Sequence, residues 1–208
     1  MRKKIVAGNW KMNKTGDEAA SFARELKVKT LNINKTEIIV CPPFTALSPV
    51  IELVKGSRVK VGAQNVHWEP SGAYTGEISA EMIETAGCSH VVIGHSERRQ
   101  FFGENNQTVN KKIKQSLTTT LLPIVCIGET LQQREGGSTK NVVESQISEG
   151  LDGLSPEQMQ RIILAYEPIW AIGTGITATP EQAEEVHHFI RELIPEEQRM
   201  ALWVAVKS

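Results

Sequence analysis

Ile162-Ile163-Leu164-Ala165-Tyr166-Glu167-Pro168-Ile169-Trp170-Ala171-Ile172-Gly173-Thr174-Gly175-Ile176-Thr177-Ala178-Thr179-Pro180-Glu181-Gln182 reads as one strand–loop–helix unit. Its apolar start is short and bounded by polar and turn residues, as buried parallel strands are. Thr179-Pro180-Glu181-Gln182 gives the helix start: a cap residue, proline at the first helical position, and Gln three residues after the cap. From Glu181 to Ile194, the residues Ala183, Val186, Phe189, Ile190 and Leu193 form one apolar stripe at helical spacing.

The same unit recurs upstream. Short runs rich in Val and Ile occur at Ile5-Val6-Ala7, Ile38-Ile39-Val40, Val59-Lys60-Val61, Val91-Val92-Ile93 and Ile124-Val125-Cys126, each expected as a buried strand. Between them lie amphipathic segments, and Thr15 with Glu18 and Ser155-Pro156-Glu157-Gln158 repeat the capped helix start. Strand–helix alternation means an α/β fold with a parallel sheet, either open or closed into a barrel. No Gly-x-Gly-x-x-Gly turn follows the first strand, which weakens a dinucleotide-binding reading. Nothing divides the chain, so residues 1–208 are expected to be a single domain. Eight such units need about 250 residues. This length holds six units and the start of a seventh strand.

Composition narrows the function. The chain has 208 residues, 40% hydrophobic and 23% charged, with a formal net charge of -1 and no basic run. Capture of nucleic acid or of an anionic membrane surface is not expected. No apolar stretch approaches the roughly 18 residues of a membrane span, and no signal-peptide core fits among Asn9, Lys11 and Asn13. Cys41, Cys88 and Cys126 are too scattered for a disulfide framework or a zinc pair, and no metal site is expected. Cys41 and Cys126 end apolar runs and read as buried thiols. The expected compartment is the reducing cytoplasm.

Polar residues gather at the C-terminal ends of the strands. Asn9 and Lys11 share parity after the first strand, His95 follows the fourth, and Glu167 follows the sixth. Taken singly, a lysine is a solvated surface group, a histidine after a strand is a structural hydrogen-bonder, and Glu before Pro is an extended turn residue. Their joint placement is what points to an active site, which in parallel barrels lies at that end.

Three segments carry a family resemblance: Ala7-Gly8-Asn9-Trp10-Lys11-Met12-Asn13, Val92-Ile93-Gly94-His95-Ser96-Glu97-Arg98-Arg99, and Ala165 to Gly175. Gly62-Ala63-Gln64-Asn65, Tyr74-Thr75-Gly76-Glu77-Ile78-Ser79 and Pro123-Ile124-Val125-Cys126-Ile127-Gly128-Glu129-Thr130 support them. Together they resemble the triosephosphate isomerase family, in order, from Lys4 to about Ile194. The resemblance implies a (β/α)8 TIM barrel, here incomplete, and the interconversion of dihydroxyacetone phosphate and D-glyceraldehyde 3-phosphate without a cofactor. It implies Glu167 as the base, His95 as the electrophile and Lys11 as fixed positive charge, with Asn9 beside it. Ser96 is expected to cap the helix after His95, whose positive end favours neutral imidazole. Glu97 would pair with Lys11 or help shuttle protons. Pro168 to Ala178 resembles a lid, with Gly173 in its phosphate-binding middle and Ile176 where the family usually has Lys. The loop from Gln64 to Glu77 resembles one that such enzymes insert into a partner, implying a homodimer.

The chain departs from the family at its C-terminus. The Tyr-Gly-Gly-Ser-Val segment of the seventh strand and the later Gly-Gly pair, which supply most of the phosphate cradle, are not matched by Ala201-Leu202-Trp203-Val204-Ala205-Val206-Lys207-Ser208. A truncated product or a frameshifted sequence would account for this. An unclosed barrel leaves sheet edges unpaired, so the expectation for this polypeptide is a molten or aggregating fragment of low activity, with at most a binding or assembly role. Another phosphate-binding barrel isomerase or an aldolase is the rival enzyme. It would require a Schiff-base lysine or a metal cluster, neither of which is evident beside Glu167.

Overall fold

The computed structural model describes residues 4–171, 175, 177–195 and 201–204. The chain clusters into two compact units, Met1–Ile93 with Gln115–Pro123, and Gly94–Lys114 with Ile124–Ser208.

The first unit contains β1 (Lys4–Asn9), α1 (Gly16–Lys29), β2 (Thr36–Cys41), α2 (Leu47–Val54), β3 (Val59–Ala63), α3 (Ala80–Thr85) and β4 (His90–Ile93). Its strands pair in sequence order and all in parallel. Lys4 to Asn9 run opposite Thr36 to Cys41, Ile38 to Val40 opposite Val59 to Val61, and Gly62 and Ala63 opposite His90 and Val91. Parallel neighbours require a crossover, and the helices between the strands supply it. The core holds Ile39, Val50, Val61, Ile83 and Val91. β4 is buried at every position, which explains why it reads as continuous Val and Ile rather than as an alternating strand.

β1 differs from expectation. It was read as a buried strand, yet no residue of it is buried and Val6 is 60% exposed. Among the described residues it pairs only with β2, and neither of its faces is covered enough to bury a side chain. The Lys11 turn that follows has φ of 51°, in the left-handed region, and Asn9 Oδ1 accepts the Lys11 N–H at 2.9 Å.

The second unit carries α4 (Ser96–Phe101), most of α5 (Asn106–Leu117) and β5 (Leu122–Ile127), then α6 (Leu131–Glu135), α7 (Thr139–Gly150) and α8 (Pro156–Met159). β6 (Ile163–Tyr166), a 3-10 turn at Ile169–Ala171, α9 (Pro180–Leu193) and β7 (Ala201–Val204) complete it. Ile124 to Ile127 pair in parallel with Ile163 to Tyr166, and these in turn with Ala201 to Val204. The expected start of a seventh strand is therefore present. All three expected capping boxes form, at Thr15, Ser155 and Thr179. In each, the Glu or Gln three residues on accepts the cap residue's own N–H at 2.7–2.9 Å. The stripe on α9 buries Ala183, Val186 and Ile190.

Cys41, Cys88 and Cys126 are buried thiols. Burial raises the thiols of Cys41 and Cys88 to about 12, in Cys41 with help from the neighbouring Cys88, so neither supplies a thiolate nucleophile at neutral pH.

His187 interrupts the buried face of α9. Its ring meets Tyr166 edge-on, with centroids 5.7 Å apart, and Nε2 is buried without a partner. Burial, aided by Arg191, lowers its imidazole to about 4 from an ordinary 6.5. The folded state thus binds neutral His187, and the unfolded state takes up the proton first as pH falls. Stability is whole above about pH 6.5 and falls toward pH 4, by about 3 kcal/mol in all. Urea unfolding followed across this window should show that slope in the parent, and His187→Gln should flatten it.

Candidate active site

His95, Ser96, Glu97 and Glu167 lie in the second unit, whereas Asn9 and Lys11 lie in the first. Gly173 and the hinge residue Ile176 lie outside the described residues.

The turn before His95 is clamped from both sides of one peptide. Gly94 has φ of +73°, and an added Cβ would meet Val109 at 3.0 Å, the Arg99 guanidinium at 3.1 Å and the Cys126 carbonyl at 3.3 Å. Its N–H donates to Glu104 at 3.2 Å, and its carbonyl accepts from Arg99 Nε at 2.8 Å. Glu104 is buried and paired closely with Lys112 and Arg98. Burial pushes its carboxyl up, but Lys112 and Arg98 more than offset this and hold it below the usual carboxylate range.

The cap of α4 is His95 itself, which corrects the expectation for Ser96. Nδ1 of His95 accepts the Glu97 backbone N–H at 3.2 Å, and Ser96 is the first helical residue. An N–H can only donate, so Nδ1 keeps its lone pair and the proton of the neutral ring sits on Nε2. Buried Ser96 lines, with Glu167, a cavity of about 10 Å³. That is room for about one water and far too small for a triose. The Glu97 carboxylate stands 3.6 Å from Nδ1, at ion-pair distance only for a protonated ring.

Nε2 of His95 lies 3.5 Å from Glu167 Oε1. The Glu167 side chain is 13% exposed, and among the described residues its buried Oε2 has no hydrogen-bond partner. A carboxylate in this state is unusual, because buried polar atoms are nearly always paired. It stands open to accept a proton.

The main chain of Glu167 is set by β5. Its N–H donates to the Ile127 carbonyl at 2.7 Å, continuing the parallel ladder. The next residue, Gly128, presses on it so closely that an added Cβ would stand 1.8 Å from the Glu167 carbonyl oxygen. One residue further, fully buried Glu129 accepts from the Tyr166 hydroxyl at 3.0 Å, Trp170 Nε1 at 2.9 Å and Arg134 Nη1 at 3.1 Å. Its carbonyl takes the Ile169 N–H at 3.2 Å. Burial, and then the Glu129 carboxylate, push the Tyr166 phenol well above its ordinary range, so it remains a donor. The first residues of the expected lid are thus anchored where Glu167 is anchored.

Gly128 and Glu129 stand within the segment Pro123 to Thr130, where no local pattern marks them as supports of Glu167. Gln146, whose carboxamide holds Gly128, did leave a signal. It falls in the stripe Val143, Ile147 and Gly150 of α7, all buried, where a polar amide requires partners.

A model of the family described as triosephosphate isomerase matches residues 4–206, past the expected limit near Ile194. The chain belongs to the triosephosphate isomerase family. Proteins named triosephosphate isomerase from Endomicrobium trichonymphae and from Clostridium botulinum (strain ATCC 19397 / Type A) are 54% and 55% identical to it. The matches cover 93% of this chain and 77% and 78% of those proteins. One from Carboxydothermus hydrogenoformans is 53% identical over 194 residues. The fold class is therefore that of the TIM barrel, with six strand–helix units and a seventh strand in this chain. None of these matches favours the fragment reading.

Gly128→Ala should destabilise the protein by about 3 kcal/mol or more, because the atom it would strike is backbone and has no rotamer to escape into. Chemical unfolding of the two proteins side by side measures this.

Proposed function

We propose that the chain interconverts dihydroxyacetone phosphate and D-glyceraldehyde 3-phosphate, with Glu167 as base and His95 as electrophile. The pairing of a neutral imidazole with a partly unsatisfied carboxylate, 3.5 Å apart, carries this reading. Glu167 takes the proton from the carbon beside the carbonyl, and the electron pair moves onto the carbonyl oxygen. His95 Nε2–H donates to that oxygen and stabilises the enediolate. Nε2 gives its proton to that oxygen and takes up the hydroxyl proton of the deprotonated carbon. The carboxylic acid then returns the first proton to the former carbonyl carbon, and the two carbons have exchanged oxidation state. No cofactor enters the balance.

Family membership supports the remaining roles. Lys11 supplies fixed positive charge to the substrate, and Asn9, which accepts the Lys11 N–H, shapes the turn that presents it. Gly173 offers its backbone to the phosphate, and Glu97 assists at His95. Gln64 supports the Lys11 turn by donating to the carbonyls of Lys11 and Cys41 at 2.9 and 2.8 Å.

A single barrel domain forms a homodimer through the loop from Gln64 to Glu77. That loop has internal order suited to docking. The His67 ring lies 4.3 Å from Trp68 and 4.4 Å from Tyr74, and the His67 N–H donates to the Ile78 carbonyl at 2.8 Å. Thr75 at its tip is exposed. The enzyme works in the cytoplasm, in glycolysis and gluconeogenesis. Among the described residues no helix is long and apolar enough to cross a membrane.

Glu167→Asp tests the base. It withdraws the carboxylate by about 1 Å and should cost on the order of 100-fold in turnover in a coupled isomerisation assay. Equal activity in both proteins would remove Glu167 from the mechanism.

A further inference from the structure

We propose that Gln146 is a positioning residue for the base, acting through Gly128 on the main chain of Glu167. The proposal rests on the reading of Glu167 as the base. Gln146 sits on α7 within the buried stripe of Val143, Ile147 and Gly150. Its Oε1 accepts the Gly128 N–H at 2.8 Å, and its Nε2 donates to the Gly128 carbonyl at 3.0 Å. One carboxamide thereby fixes both polar groups of a single buried residue, as a neighbouring strand would.

The position of that residue matters. The β5–β6 register ends at Ile127 opposite Tyr166, so Gly128 is the first residue of the β5 side beyond it. There the side-chain amide takes over from the ladder. Gly128 presents only hydrogen to Glu167: a built Cβ would lie 1.8 Å from its carbonyl oxygen and 2.8 Å from its carbonyl carbon. Gly128 cannot move toward Glu167, and moving away would leave the base's main chain without its backstop. Glu129, next in sequence, holds Tyr166 and Trp170 on either side of Glu167 in the chain. The seat of Gly128 therefore fixes Glu167 from beside and from both flanks.

A displacement of the base by about 1 Å costs on the order of 100-fold in rate, so loss of this clamp should appear in kcat. Gln146→Leu fills similar volume without the amide. It should lower kcat by roughly 10- to 100-fold and shift KM by less than about twofold. Val143→Ala, on the same helix and leaving the amide of Gln146 in place, should destabilise the protein and leave kcat unchanged. The double variant Gln146→Leu with Glu167→Asp should lose less than the product of the two single losses, because both act on one carboxylate.

Should Gln146→Leu not fold, Gln146→Glu carries the test. It keeps the acceptor for the Gly128 N–H but sets a second carboxylate oxygen against the Gly128 carbonyl. Its kcat relative to the parent should rise as pH is lowered and that oxygen is protonated. Folded Gln146 variants with unchanged kcat, or losses no greater than in Val143→Ala, would overturn the proposal while an impaired Glu167→Asp leaves the base in place. Full activity in Glu167→Asp would instead remove the base, and the positioning role with it.

Discussion

At residue 128 the chain can carry no side chain. The main chain after β5 and the main chain after β6 approach until only a hydrogen atom fits between the Gly128 Cα and the Glu167 carbonyl. Much around Glu167 follows from this contact. The Ile127 carbonyl fixes the Glu167 N–H on one side of Gly128. On the other, Glu129 gathers the Tyr166 hydroxyl, the Trp170 indole and the Arg134 guanidinium. Three successive residues of one strand end thus hold Glu167 and the turn at Ile169–Ala171. Neither can shift without disturbing the other.

Two buried carboxylates of the second unit and the half-buried Glu167 show how their surroundings divide their work. Glu104 is paired with Lys112 and Arg98 and also accepts the Gly94 N–H. Glu129 is filled by three donors. A buried carboxylate so satisfied ties backbone segments together and has little left to offer a substrate. Glu167 is the contrast, with one oxygen near His95 and the other unpartnered. Burial without full satisfaction costs stability, and such sites are where chemistry tends to be housed. His95 is set by an equally economical device. A single backbone N–H from α4 fixes its tautomer and caps the helix.

Most of the fold was legible because buried parallel strands and capped helices leave local marks. Ile38-Ile39-Val40 and Val91-Val92-Ile93 are apolar at each position since both faces are covered, and Thr179-Pro180-Glu181-Gln182 writes a helix start in four letters. The exposure of β1 was not legible. Ile5-Val6-Ala7 resembles the other runs, and only the lack of packing on its faces leaves Val6 in solvent. The cap of α4 was misplaced by one residue for a similar reason. Serine is the usual cap by composition, while the imidazole of His95 takes the position by virtue of its geometry.

The sequence by itself determined the family, the alternation of strand and helix, and the identities of His95 and Glu167, because those rest on residue type and order along the chain. Tertiary structure alone decided which nitrogen of His95 carries the proton, which oxygen of Glu167 stands unpartnered, and why residue 128 is glycine. It alone brought Gln146, 21 positions before Glu167 in the sequence, onto the backbone of Gly128. Contacts of that kind depend on two strand ends and a helix meeting at hydrogen-bond distance. A linear pattern records the stripe that buries an amide but not the peptide that the amide will find.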